Sequence, residues 1–370
     1  MKQLTAIALS GGIDSLVAAY LLKQQGHNLI GIHFITGYET ETHDGDKNKL
    51  FPNTDPSPST PVKKDAFHII SHLADRLGIE VKPLDCRIDF KHKVVDYFTQ
   101  TYQAGQTPNP CMVCNSTIKF GTVLDFSHKL GASKIATGHY AGITRDNRGR
   151  FHLIKGVDPK KEQSYFLALM SQKQLARTLF PLGSMTKSEV IKLAQKNGLE
   201  PVKKGESQDV CFIRNKNYGE FLALQEGFEP KPGRIVDVNG NLLGHHRGLH
   251  LFTIGQRRGI NRPCSEPYYV VSMDPGQNLL TVGFKKDLLS FECRVNNINW
   301  VNQKPNSPIN VHTRVRYRHN AAASKLFSVN EKTAVVRFEK PQSAITPGQC
   351  AVFYRNDEVL GGGWIAPNNT

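Results

Sequence analysis

The stretch LTAIALSGGIDSLVAAYLL, residues 4–22, decides how the chain is read, and its centre is Ser10-Gly11-Gly12-Ile13-Asp14. Leu4 to Leu9 is a short apolar run of strand character. From Ile13 to about Gln25 the residues Leu16, Val17, Ala19, Tyr20 and Leu21 recur with a helical period, and Gly26 closes the pattern. A strand, a glycine turn and a helix N-terminus make an anion site. The glycines let backbone N–H groups come close to a ligand, and the helix dipole favours negative charge. Gly-Gly also punctuates ordinary turns, and the flanking serines and aspartate set this stretch apart from one.

Two commoner phosphate loops are excluded, because neither GxxxxGKS nor the spaced glycines of a dinucleotide fingerprint is present. The stretch resembles instead the pyrophosphate loop of the ATP pyrophosphatases. That resemblance implies a reaction in which a substrate oxygen attacks the α-phosphate of ATP and pyrophosphate leaves. The adenylated carbon is then attacked by nitrogen or sulfur. The loop does not name the substrate.

Outward from the loop, strand and helix signals alternate over the first two hundred or so residues. Strands are expected at Asn28–Ile35, Glu80–Leu84 and Ala132–Thr137, and helices near Asp65–Leu77, Phe90–Tyr102 and Thr117–Leu130. Such alternation predicts an α/β fold with a doubly wound parallel sheet, its site at the strand C-termini. Residues 36–64 are polar and broken by Pro52, Pro56, Pro58 and Pro61, and read as an insertion or lid. From about Lys203 short alternating strands take over, among them Arg234–Val238, Tyr268–Val271, Val311–Tyr317, Thr333–Phe338 and Ala351–Tyr354. We read a catalytic domain over 1–204, a small β-rich domain over 205–283 and a β-barrel over 284–370.

The 370 residues are 39% hydrophobic and 21% charged, a balance that suits a globular protein with a core. No apolar run approaches the ~20 residues of a membrane span, and the first residues do not read as a signal peptide. A cytoplasmic location is expected. Basic residues number 47 against 32 acidic, a net +15, which points to a polyanionic partner with nucleic acid as first choice. In Thr313-Arg-Val-Arg-Tyr-Arg318 the arginines alternate, so in a strand all three would project from one face about 6.6 Å apart, a spacing that suits successive phosphates.

Seven cysteines are thinly spread, which argues against a secreted disulfide framework. Cys86 and Cys293 read as buried apolar thiols. Cys111 and Cys114 differ, because they stand in Thr107-Pro-Asn-Pro-Cys-Met-Val-Cys-Asn115, a polar stretch that its prolines are expected to hold extended between two helices. A third cysteine, Cys211, follows distantly. A structural zinc would want four ligands, and no second CxxC exists, so working thiolates are the reading.

At this point the chain resembles the tRNA-specific 2-thiouridylases over nearly its whole length. The matching stretches are SGGIDS at 10–15, TPNPCMVCN at 107–115, IKFG at 118–121 and ATGHYA at 136–141. They continue with KKEQSYFL at 160–167, GESQDVCFI at 205–213, GLHLFTIGQRRGI at 248–260 and EPYYVV at 266–271. TRVRYR at 313–318, TPGQCAVFY at 346–354 and LGGGWI at 360–365 complete the series. The resemblance implies ATP-dependent replacement of the C2 oxygen of the wobble uridine of tRNA by sulfur. ATP and Mg²⁺ would meet Ala8, Leu9, Ser10, Gly11, Gly12, Ile13, Asp14 and Ser15, with Phe34 and Gly138 lining the adenosine pocket. Cys114 matches the nucleophilic cysteine and Cys211 the persulfide carrier. Asn109, Pro110 and Cys111 would approach the base, and His139, Glu162, Gln163, Ser164, Arg316 and Tyr317 match tRNA-contacting positions, the last two in the barrel. The sulfur donor would be a cysteine desulfurase or a relay protein.

The usual family motif has aspartate where this chain has Cys111. Two sulfur chemistries therefore stay open. In one, Cys111, Cys114 and Cys211 hold a [4Fe-4S] cluster with one iron open for sulfide; in the other, a Cys211 persulfide attacks the adenylated C2 and Cys114 closes a disulfide. The third thiol tips the reading slightly toward the cluster. Small-molecule ligases of the argininosuccinate or GMP synthetase type share the loop, but they would need neither CxxC nor a large positive charge.

Overall fold

The computed structural model describes residues 3–38, 64–201, 210–213 and 217–367. They fall into two units. The first holds residues 1–94, 111–212 and 357–359, and the second holds 95–110, 213–356 and 360–370. The expected insertion lies outside the described residues except at its two ends.

In the first unit, β1 (Leu4–Ala8) leads through the glycine loop into α1 (Ile13–Gln24). β2 (Asn28–Ile35), α2 (Lys64–Asp75), β3 (Val81–Asp85) and α3 (Arg87–Phe90) follow. α4 (Asp96–Gln103) belongs to the second unit. A helical run then opens as α5 (Pro110–Val113), widens over Cys114–Thr122 and ends as α6 (Val123–Lys129). β4 (Lys134–Ala136), the hairpin β5 (Ala141–Arg145) and β6 (Phe151–Lys155), α7 (Gln172–Ala176), β7 (Thr178–Leu179) and α8 (Lys187–Lys196) complete it. The sheet order is β3-β2-β1-β4-β7 and every pairing is parallel, as alternating strands and helices require. β1 is buried on both faces from Thr5 to Ala8, its Ile7 packing with Val17, Leu22, Leu182 and Val190 in one core. The order reverses between β1 and β4, so a crevice opens at their C-terminal ends. The glycine loop leaves β1 there, and Gly138 leaves β4 there.

In the second unit, α9 (Tyr218–Ala223) sets Tyr218 against Tyr102 (ring centroids 5.2 Å) and Phe221 against Phe98 (6.1 Å). That aromatic packing takes α4, which the sequence reading places inside 1–204, into this unit. β8 (Gly233–Asp237), β9 (Leu242–His246), β10 (Tyr269–Asp274) and β11 (Leu279–Gly283) form a four-stranded sheet in the order β10-β11-β8-β9. β12 (Leu289–Trp300), β13 (Ile309–Arg314), β14 (Ala322–Ser328), β15 (Ala334–Ser343), β16 (Cys350–Arg355) and β17 (Glu358–Ile365) run in the order β12-β15-β14-β13-β16-β17. β12 also pairs with β17, which closes the expected antiparallel barrel around Val295, Val336 and Phe353.

Two sequence expectations are corrected. Cys111 and Cys114 stand in the opening turns of a helix that begins at Pro110, not on an extended loop. Proline suits a first helical position, because its missing N–H has no intrahelical partner there anyway. The three arginines of TRVRYR do not share a strand face either. β13 stops at Arg314, and residues 315–319 turn back so that Arg314 Nε donates to the His319 carbonyl (2.9 Å).

Candidate active site

Gly11 takes φ +75°, a left-handed turn that glycine adopts at little cost, and Gly12 N-caps α1 with no side chain over the helix end. The loop braces itself: Ser15 Oγ donates to the Gly12 carbonyl at 2.8 Å. The first N–H groups of α1 are therefore left open to an anion. Across the crevice Gly138 lies against the same turn. A Cβ on it would come within 2.8 Å of the Asp14 carbonyl carbon and 2.9 Å of the Ser15 nitrogen, so only glycine fits. Phe34 sits half-buried near the end of β2 at this edge.

Asp14, in the first turn of α1, receives the Lys187 ammonium on both carboxylate oxygens (2.6 and 2.8 Å) and the Tyr140 hydroxyl on Oδ1 (2.7 Å). Lys187 is held by its own helix start. Thr186 and Glu189 form a capping box, and the Lys187 N–H donates to Asp158 Oδ2 at 2.8 Å. Gln163 fixes Tyr140 from the other side, accepting from its N–H at 3.0 Å and donating its own N–H to its carbonyl at 2.9 Å. The sequence reading missed Lys187 and Tyr140. The T-x-x-E capping box at 186–189 is legible in sequence, but a partner 173 residues away is not.

The thiols stand on the helix that follows Pro110. From Cys114 the helix widens, and side chains take carbonyls this would strand: Ser116 Oγ donates to the Met112 carbonyl (3.1 Å) and Thr117 Oγ1 to the Val113 carbonyl (2.7 Å). Cys114 is buried, while Cys111 and Cys211 reach solvent. Crowding by protein pushes the Cys114 thiol up to about 12; the Lys119 ammonium pulls it down, and Cys211, Cys111 and Cys86 push it up. Protein packed around Cys111, although its surface still reaches solvent, pushes its thiol up to about 11, with Cys211 adding and Lys119 opposing. Each of these two thiols thus feels the charge of Lys119 and of Cys211.

Lys119 Nζ donates to His139 Nε2 (3.5 Å), whose Nδ1–H then donates to Thr137 Oγ1 (2.7 Å). Burial, then the Lys119 charge, hold His139 neutral well below the usual imidazole range. Among the described residues no three His, Cys, Asp or Glu side chains are grouped to hold a metal ion.

Several positions matched to tRNA face inward here. His139, Glu162, Ser164 and Asn109 are buried. The Ser164 N–H donates to Glu162 Oε1. The Asn109 N–H donates to the Tyr97 hydroxyl (3.2 Å), and Gln349 Nε2 donates to the Pro108 carbonyl (2.8 Å). Pro110 is buried too. Arg316 is half-buried, its guanidinium donating to the Ile254 carbonyl (2.7 Å) and to Thr346 Oγ1, so it ties the barrel to the neighbouring loop. Tyr317 lies under Arg314, 5.8 Å from guanidinium to ring centroid.

A parallel sheet with an open glycine N-cap at its switch point, an aspartate of the first helical turn held by a lysine, and free thiols on the helix from Pro110 define an ATP-using, thiol-bearing enzyme class. Three family models agree with the fold. The tRNA methyl transferase HUP domain matches residues 3–215, the tRNA methyl transferase PRC-barrel domain 221–284 and the aminomethyltransferase beta-barrel domain 290–365. The tRNA-specific 2-thiouridylase MnmA of Desulfosudis oleivorans is 49% identical over 362 residues, 98% of this chain and 94% of the relative. Those of Geotalea uraniireducens and Geobacter metallireducens are each 41% identical, over 98% and 97% of this chain and 95% of either relative. The chain belongs to the tRNA-specific 2-thiouridylase family.

Proposed function

We propose that the chain replaces the C2 oxygen of a tRNA wobble uridine by sulfur, cleaving ATP to AMP and pyrophosphate. The target base is turned out of the anticodon loop to reach the site, where unstacking costs least. ATP lays its β- and γ-phosphates on the glycine loop and the open N-terminus of α1. A magnesium ion would find one carboxylate there, Asp14, taking its remaining ligands from phosphate and water, as that ion prefers. Lys187, freed from Asp14 or shared with it, neutralises charge on the departing pyrophosphate. The uridine O2 attacks the α-phosphate, and pyrophosphate leaves with the electron pair of the broken P–O bond.

Sulfur then arrives from Cys211. A cysteine desulfurase or a relay protein leaves a terminal sulfur on its exposed thiol. That sulfur attacks the adenylated C2. Cys114, its proton passing to the departing AMP, attacks the Cys211 sulfur, and the S–S electron pair stays with the sulfur on C2. AMP departs with the former O2, so C2=S and a Cys114–Cys211 disulfide remain. The persulfide route needs only two thiols and no group beyond the delivered sulfur.

The observation that carries this reading is the open glycine N-cap of α1 with Asp14 held by Lys187 and Tyr140, together with a buried Cys114 and an exposed Cys211 in the same unit. Relatives named as tRNA-specific 2-thiouridylases over almost the whole chain support the same substrate and do not favour a small-molecule ligase. The test is pyrophosphate release with and without tRNA. Release that depends on a wobble-uridine tRNA is expected; release driven equally well by small acceptors, with tRNA inert, would reject it.

A further inference from the structure

Cys211 has to stay exposed to be loaded and yet meet a buried Cys114, so something must fix its backbone. Within Val210–Ile213, Phe212 is the buried residue, 2% exposed, whereas Cys211 points to solvent. The Phe212 ring meets Phe90 edge-on at 5.7 Å and Tyr38 edge-on at 5.9 Å, and Tyr38 closes the triangle on Phe90 at 5.7 Å. Both partners belong to the sheet's C-terminal edge. Tyr38 lies three residues beyond β2, and Phe90 lies in α3, whose start follows β3. Phe90 is in turn anchored to the thiols' floor: its N–H donates to the Cys86 carbonyl at 2.7 Å, and Cys86 is the buried thiol that acts on Cys114.

We propose that the Tyr38–Phe90–Phe212 triangle is the positioning element for sulfur delivery, holding Cys211 where its sulfur can reach Cys114 and the activated base. This rests on the reading of Cys211 as the persulfide carrier. Edge-to-face rings fix direction as well as distance, because the positive edge of one ring seeks the negative face of the next. A side chain that merely filled the pocket would keep the burial and lose the direction. Small misplacements of a reacting group cost rate steeply, on the order of a hundredfold per ångström. None of the three rings is among the residues assigned to the nucleotide or the base, so adenylation should proceed without it.

The experiment compares wild type, Phe212→Ala, Phe212→Leu, Tyr38→Ala and Cys211→Ser in three readouts. These are tRNA-dependent pyrophosphate release, persulfide loading of Cys211 by mass spectrometry after incubation with a cysteine desulfurase and cysteine, and single-turnover formation of 2-thiouridine with Cys114–Cys211 disulfide. Phe212→Ala and Tyr38→Ala should release pyrophosphate and load sulfur at wild-type levels but deliver it roughly ten- to a hundredfold more slowly, with Phe212→Leu between them and wild type. Delivery at the wild-type rate in both alanine variants overturns the proposal. An equal fall in pyrophosphate release, loading and delivery also overturns it, since that marks a merely structural role. Should Cys211→Ser still thiolate tRNA, the carrier reading itself fails, and the positioning role fails with it.

Discussion

Asp14 and Lys187 offer the sharpest perturbation of the nucleotide site. The ammonium sits 2.6 and 2.8 Å from the two carboxylate oxygens, with the lysine side chain 14% exposed and the aspartate 31%. Removing one partner of a fully buried pair costs about 3–5 kcal/mol, while an exposed pair contributes about 1 kcal/mol or less. With one face still wet, we expect a coupling of about 2 kcal/mol, between those limits. Urea unfolding of wild type, Asp14→Asn, Lys187→Met and the double variant, without nucleotide, measures it as the non-additive part of the cycle. If the two single losses add to the double loss within about 0.5 kcal/mol, the pair does not exist as described. The same Lys187→Met variant should lose about a hundredfold or more in tRNA-dependent pyrophosphate release, the usual scale for a lost charge-stabilising donor. Near-normal release would confine Lys187 to holding the fold.

Three more outcomes follow from the geometry. Gly138→Ala places a methyl group against the Asp14–Ser15 backbone, so ATP affinity by calorimetry should fall about tenfold or more; unchanged affinity would mean that the crevice yields. With the thiols pushed up to about 11 and about 12, alkylation of Cys111 and Cys114 should climb about tenfold per pH unit from 7 to 10 without a plateau, and Lys119→Met should slow it further at each pH. A plateau near pH 8 would contradict the burial argument. Arg316→Ala strands the Ile254 carbonyl and should cost about 1–3 kcal/mol in urea unfolding along with tRNA affinity, whereas exposed Arg318→Ala should lower only affinity and its salt slope. Equal stability of the two variants would refute the distinction.

The fold's outline was legible because its signals are local. Alternating apolar runs pointed to the parallel sheet, Gly11 and Gly12 between strand and helix to the loop, and short alternating strands to the later β units. What failed or went unseen depends on tertiary contact. Pro110 reads equally as a loop breaker or a helix start, and only the packing of Met112 and Ile118 decides for helix. Arg314, Arg316 and Arg318 alternate as a strand face would, yet the Ile254 carbonyl and Thr346 capture Arg316 where the chain turns. Lys187 and Tyr140 carry no motif of their own, and their role comes from meeting Asp14 across long stretches of chain. The cysteine pattern suggested working thiols, but their placement, Cys114 buried and Cys111 and Cys211 exposed, depends on tertiary packing.

The central claim is that Cys114 and Cys211 together deliver one sulfur to an adenylated uridine. Nucleoside mass spectrometry of tRNA incubated with the enzyme, ATP, a cysteine desulfurase and cysteine tests it most directly. The account predicts 2-thiouridine confined to the wobble position, and none with either Cys114→Ser or Cys211→Ser. Thiolated tRNA from both serine variants, or pyrophosphate released from wild type with no thiolated nucleoside, would contradict it.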